Sequence, residues 1–134
     1  MKKILITGVA GFIGFHVAKK LIKKNYKVIG IDNLNNYYDN KLKKDRLKLL
    51  KKKINFHKID ITNTSSINRI FKKYKPDKVI HLAAQAGVRY SLINPKSYIN
   101  TNLLGFFNVI ESSKNYNIKH FVYASSSSVY GLEN

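Results

Sequence analysis

Residues 1–14, MKKILITGVAGFIG, set a short apolar run against three glycines, Gly8, Gly11 and Gly14, at the entrance to a stretch of helical spacing. Ile4 to Thr7 reads as a buried strand. Gly8 lets the chain turn sharply at its end, Gly11 removes the side chain that would keep a ligand off the backbone amides, and Gly14 lets the next helix pack close. A helix starting near Gly11 aims its unpaired N–H groups and positive dipole end over the loop. The combination is built to hold a pyrophosphate, which makes a dinucleotide the candidate ligand. The spacing GxxGxxG departs by one position from the commoner GxGxxG, so confirmation has to come from the strands that follow.

The next apolar run, Lys27-Val28-Ile29-Gly30-Ile31, closes on Asp32. An acidic residue about 20 positions after the glycines is what takes the ribose hydroxyls of a dinucleotide. An aspartate repels a 2′-phosphate and no arginine follows it directly, which favours NAD over NADP. Lys41, Lys43 and Lys44 leave NADP open.

Strand and helix patterns alternate along the whole chain, with no linker, repeat or low-complexity tract. This predicts an α/β fold, a parallel sheet with helices on both faces. Strands are expected near 3–7, 27–31, 54–59, 78–82 and 119–124. The first helix carries Ile13, Val17 and Leu21, and the third carries Ile67, Ile70, Phe71 and Tyr74 and ends at Pro76. A fourth starts with Asn94 as cap and Pro95 in the first turn, then runs through Leu103, Phe106, Phe107 and Ile110. Residues 40–51 read as helix. Ligands of such sheets bind outside the carboxyl ends of the strands. Here those ends are the glycine loop, Asp32, Asp60, the run Ala83-Ala84-Gln85-Ala86-Gly87, and Ser125 to Ser128. Taken singly, Asp60 reads equally as a helix cap and Ala83 and Ala84 as small core residues. Jointly they describe one cofactor cleft.

At 134 residues the chain makes one domain. It has no cysteine, which excludes disulfides, thiolate metal sites and cysteine nucleophiles and agrees with a reducing compartment. No apolar run reaches the roughly 20 residues a membrane span needs. Lys2 and Lys3 before an apolar stretch resemble a secretory signal, but three glycines and His16 break it and no cleavage site follows. The net charge of +18 raises the question of nucleic acid or an anionic membrane. Of the 25 basic residues only Arg46, Arg69 and Arg89 are arginines, whereas dedicated phosphate readers favour arginine forks. The densest patch, Lys41 to Lys58, reads as a solvated helix face and the turn after it, without the interleaved aromatics of strand-binding surfaces. Neither partner is expected. His16, His57, His81 and His120 lack metal-ligand spacing, so no metal is expected and His81 reads as structural.

The motifs GVAGFIG, IDNLNNYYD, HLAAQAGVRYS, YINTNLLG and YASSSSVYG occur in an order that resembles the extended short-chain dehydrogenase/reductase family, specifically its nucleotide-sugar epimerases and dehydratases. DNLNNYYD with AAQAGVRYS is most similar to the UDP-glucuronate 4-epimerases, the 4,6-dehydratases being the alternative. The resemblance implies a Rossmann-type doubly wound sheet in strand order 3-2-1-4-5 and a cytoplasmic enzyme that is a homodimer at full length. It implies NAD held by Gly8, Gly11, Phe12, Ile13 and Gly14 at the pyrophosphate, and by Asp32, Asn33 and Asn36 at the adenosine ribose. Asp60 and Ile61 would meet the adenine, Ala83 and Ala84 the central part, and Asn102 would brace the cleft. Ser126 corresponds to the catalytic serine, which holds the 4-hydroxyl of a UDP-sugar while NAD transiently oxidises C4 and returns hydride to the other face. Arg89 reads either as a partner for a uronate carboxylate or as an ordinary loop arginine.

The same resemblance calls for a tyrosine and a lysine four apart on a helix after the fifth strand, the lysine lowering the tyrosine pKa. Tyr130 is followed four residues later by Asn134. Tyr74 and Lys78 have the spacing but flank Pro76, and Tyr37 and Lys41 fall on the adenosine side. The expectation is therefore an amino-terminal part, truncated before the catalytic helix and inactive alone, with a non-catalytic NAD-binding module as a further alternative.

Overall fold

Five runs rich in β-branched and apolar residues pair side by side: β1 (Lys3–Thr7), β2 (Lys27–Asp32), β3 (Ile54–Lys58), β4 (Lys78–His81) and β5 (His120–Tyr123). The computed structural model describes residues 1–50 and 52–132. All pairings are parallel, and the order is β3-β2-β1-β4-β5, as the alternation and the motifs predicted. Thr7 lies beside Ile31 on one side and His81 on the other. The carboxyl ends of β1, β2 and β4 therefore meet where the winding reverses, which is where such sheets open a crevice.

Side chains alternate across a strand, so each strand feeds two cores. Leu5, Ile29, Ile31 and Val79 pack on one face with Ile67, Ile70, Phe71 and Val109. Ile4, Ile6 and Val28 pack on the other with Val9, Phe15, Ala18 and Leu50. The second face is covered by α1 (Phe12–Lys23) and α2 (Asn40–Leu50), the first by α3 (Thr64–Tyr74) and α6 (Phe106–Asn115). Fully burying one such side chain stabilises by about 1.5–3 kcal/mol.

Three elements differ from the sequence expectation. In α1 the buried positions are Gly14, Phe15 and Ala18, while Ile13 is 59% exposed. Gly14 is buried because the helix start abuts the turn after β1, and Phe15 and Ala18 fill the core with the expected Val17 and Leu21 packed partly buried beside them. In α2, Lys43 is only 4% exposed, which corrects the reading of its patch as wholly solvated; Lys51, in the same expected helix, lies outside the described residues, as does Asn134. After β4 the chain forms α4 (Val88–Ile93), read in the sequence as loop, then α5 (Pro95–Tyr98), a π-helical stretch Ile99–Gly105, and α6. Asn94 caps α5 by accepting from Ser97 N, with Pro95 in the first turn. Along this helix Leu103, Phe107 and Ile110 point outward, and Asn108, Val109, Ser112 and Ser113 are buried.

Candidate functional site

The glycine loop is a rigid turn pressed between two strands and a helix start. Gly8 has φ +70°, a region that glycine enters freely, and its N–H donates to Ile31 O at 2.8 Å. A Cβ added at Gly14 would lie 2.2 Å from Gly8 O, and one at Gly8 would lie 2.9 Å from Ala83 N. Helix and turn are as close as backbones can be. Gly11 precedes α1 without a side-chain cap, so the first-turn N–H groups at Phe12, Ile13 and Gly14 have no internal side-chain acceptor. The Phe12 and Ile13 side chains are exposed; what they offer a ligand is backbone.

On the β2 side, Asp32 is buried with its carboxylate toward this loop. Oδ2 accepts from Ala10 N at 3.1 Å and Oδ1 from Leu34 N at 2.9 Å. Asn33 Nδ2 donates to Asp60 Oδ2 at 2.9 Å, which joins the ends of β2 and β3. Burial pushes the Asp60 carboxyl up, but the hydrogen bonds from Asn33 and Thr62 outweigh it and hold its pKa below the usual carboxylate value. Asp60 is not a helix cap: Asn63 caps α3 through Ser66 N. Asn33, Asn35 and Ile61 line the cleft, whereas Asn36 accepts from Asn40 Nδ2 and lies outside the lining.

Lys43 also lines the cleft, with Nζ donating to Asn35 O at 2.9 Å and Oδ1 at 2.8 Å and lying 4.4 Å from the centre of the Tyr38 ring. Burial lowers its pKa, Asp32 opposes that, and Arg46 adds to it. The sequence signal was present: Lys43 stands at i, i+4, i+7 with Leu47 and Leu50, both packed in the core. Arg46 reaches back to Ala10 O at 3.2 Å. Lys41 and Lys44 are not in the lining.

On the β4 side, Ala83 and Ala84 form the wall, tied to β1 by Ala83 N donating to Thr7 Oγ1 at 3.0 Å. Asn102, carried by the π-helical stretch, clamps one peptide. Gln85 N donates to its Oδ1 at 2.8 Å, and its Nδ2 donates to Gln85 O at 3.0 Å. The loop after β2 and the segment after β4 touch across the cleft. The Tyr37 and Tyr90 rings lie 4.9 Å apart, Tyr37 Oη sits where a Gly87 Cβ would be, and Tyr98 Oη is shared between the carbonyls of Ala86 and Gly87. Nothing in the spacing of these tyrosines announces such a bridge, because it joins three separate elements.

Ser126 stands apart from this wall. It is exposed, and its Oγ donates to Ser128 Oγ at 3.1 Å and accepts from Ser128 N at 3.2 Å, capping a short 3₁₀ turn, Ser127–Tyr130. Arg89 is exposed and outside the lining. Among the described residues no group of three His, Asp or Glu is placed to hold a metal ion, and no helix is long and apolar enough to cross a membrane.

The sequence model of the GDP-mannose 4,6 dehydratase family matches residues 5–134. The chain is 53% identical over 130 residues to Protein CapI of Staphylococcus aureus, covering 96% of this chain and 39% of that protein. It is 50% identical over 128 residues to the UDP-glucuronate 4-epimerase of Thermodesulfobacterium geofontis, covering 94% of this chain and 40% of that protein. A crystal structure of the UDP-glucuronic acid 4-epimerase from Bacillus cereus in complex with UDP-glucuronic acid and NAD matches with a TM-score of 0.86 at 36% identity, over 98% of this chain and 42% of that one. The chain thus spans well under half the length of these relatives.

Proposed function

The chain belongs to the GDP-mannose 4,6 dehydratase family, and from that premise we propose that residues 1–134 form the NAD-binding part of a UDP-glucuronate 4-epimerase. The observation that carries this reading is the strand-end cleft, with its glycine cradle closed to any Cβ at Gly14 and its Asp32 carboxylate alongside. The uncapped N–H groups that open α1 suit a pyrophosphate. Each Asp32 oxygen accepts one backbone N–H and keeps a lone pair for a ribose hydroxyl. Asn33 and Ile61 bound the adenosine end, Asp60 fixes the turn between them, and Ala83 and Ala84 leave room for the middle of the cofactor.

Bound NAD would supply hydride transfer at the sugar C4. Asn102 keeps the Gln85 peptide in place, so the β4 wall does not fall into the cleft. Ser126 Oγ would hold the sugar 4-hydroxyl, leaving Ser128 to do so. A cytoplasmic homodimer belongs to the same proposal, and the outward apolar row of α6 supports a partner surface. The name of the family model favours a second reading, a 4,6-dehydratase; the names of the similar proteins and structures favour the epimerase.

Titrating the purified polypeptide with NAD and NADP by calorimetry tests the cofactor. NAD should bind at least tenfold more tightly, and Asp32→Ala should erase the preference. Neither internal Tyr-Lys pair of the required spacing is placed to serve Ser126: Tyr74 Oη is bonded to His57 Nε2 at 2.7 Å, and Tyr37 sits against Gly87. UDP-glucuronate mixed with residues 1–134 and NAD should therefore stay unconverted. Failure to bind NAD, or epimerisation by this polypeptide alone, sinks the proposal.

A further inference from the structure

Resting on that reading of the cleft, we propose that Asn108 is a positioning residue, holding the turn after β3 in the shape that the adenine end of the cofactor requires. Asn108 is 4% exposed, in the first turn of α6. Its Nδ2 donates to Ile61 O at 3.0 Å and to Thr62 O at 3.1 Å, and its Oδ1 accepts from Thr64 Oγ1 at 3.1 Å. Two carbonyls can be met only by a donor, so the carboxamide has one workable orientation, and the Thr64 hydroxyl locks it.

The turn so held is the one that shapes the cleft. Ile61 lines the cleft. Its side chain is pinned by the same helix, since a Cβ at Gly105, one turn before Asn108, would lie 2.6 Å from Ile61 Cδ1. On its other flank Asp60 spends its carboxylate on Thr62 N, Thr62 Oγ1 and Asn33. Backbone, side chain and neighbouring carboxylate are thus fixed together, and Asn108 ties the backbone of the turn to α6 from behind. Without it the buried Ile61 carbonyl and the partly buried Thr62 carbonyl lose their partner, and the turn must move toward water to recover one. Asn108 acts through Ile61 and Asp60 and touches no ligand itself.

Calorimetric titration with NAD and with AMP, on the wild type, Asn108→Ala and Thr64→Val, tests this alongside amide hydrogen exchange. Asn108→Ala should weaken both ligands about tenfold, as expected for an orphaned buried carbonyl, with faster exchange confined to residues 60–64 and unchanged protection in β1. Thr64→Val, which only unlocks the carboxamide, should weaken AMP roughly two- to threefold; it carries the test alone if Asn108→Ala does not fold. Unchanged AMP affinity in the folded variants, whether or not exchange quickens, overturns the positioning role while leaving the cofactor reading intact. A wild type that binds neither ligand overturns both.

Discussion

Thr7 carries one hydroxyl and three hydrogen bonds. Leu82 N and Ala83 N both donate to its Oγ1 at 3.0 Å, so the hydroxyl hydrogen goes to the remaining partner, His81 Nδ1, at 2.8 Å. The imidazole must accept there and keep its proton on Nε2. It is buried against Phe106 and Phe121, and that burial lowers its pKa to about 4. The folded protein thus keeps His81 neutral where the unfolded chain, with a value near 6.5, takes up a proton. Stability from this group is complete above about pH 6.5, falls as pH drops toward 4, and levels off below. At roughly 1.4 kcal/mol per pH unit, the loss reaches about 3 kcal/mol. Urea unfolding between pH 7.5 and 4.5 should show it, and His81→Asn should flatten that part of the profile; identical slopes in both proteins refute the assignment. The structural reading of His81 was available from its place at a strand end. Its tautomer was not, because that depends on Thr7, 74 residues away.

The bridge from the loop after β2 to α4 is built from aromatic rings and turn carbonyls, with no buried residue in α4 itself. Tyr37 lines the cleft together with Gly8 and Gly11, so the bridge supports part of the wall that a bound dinucleotide would meet. Tyr90→Ala removes the ring against Tyr37 and leaves the glycine cradle untouched. Stopped-flow displacement of bound NAD should show dissociation about five- to tenfold faster, on the scale of one aromatic pair, with little change in thermal stability; an unchanged rate would mean that the bridge does not support the ligand-facing wall. α4 could not be read in advance because its apolar residues, Val88, Leu92 and Ile93, all face solvent and none of its side chains joins a core. The strands and the glycine loop were legible because both cores demand runs such as ILI and VIGI, and because only glycine fits at positions 8 and 14. In the last long helix, hydropathy misassigns the faces. Asn108, Ser112 and Ser113 are buried because their side chains meet carbonyls and Asn68, while the π-helical stretch shifts the phase of the apolar row.

Charge and apolar surface pull the molecule as a whole in opposite directions. Leu103, Phe107 and Ile110 line the outer side of the long helix, and Val122 and Tyr123 are exposed on the edge strand β5. Such surface favours association. Against it stands a net charge of +18, and only two ion pairs, Lys48–Asp45 and Lys114–Glu111, occur among the described residues. Repulsion between like-charged copies acts over the screening length, about 10 Å at 0.1 M salt and about 3 Å at 1 M, whereas apolar contact is not weakened by salt. Self-association of the 134-residue polypeptide should therefore rise with sodium chloride, the reverse of what ion-paired contacts would do. Sedimentation equilibrium at 0.05 M and 0.5 M salt should show the shift, and Leu103→Gln with Phe107→Gln should abolish it. A monomer at both concentrations would show the apolar row to be too small to bind a second copy. Association that weakens with salt would place the contact on charged side chains instead, away from this helix.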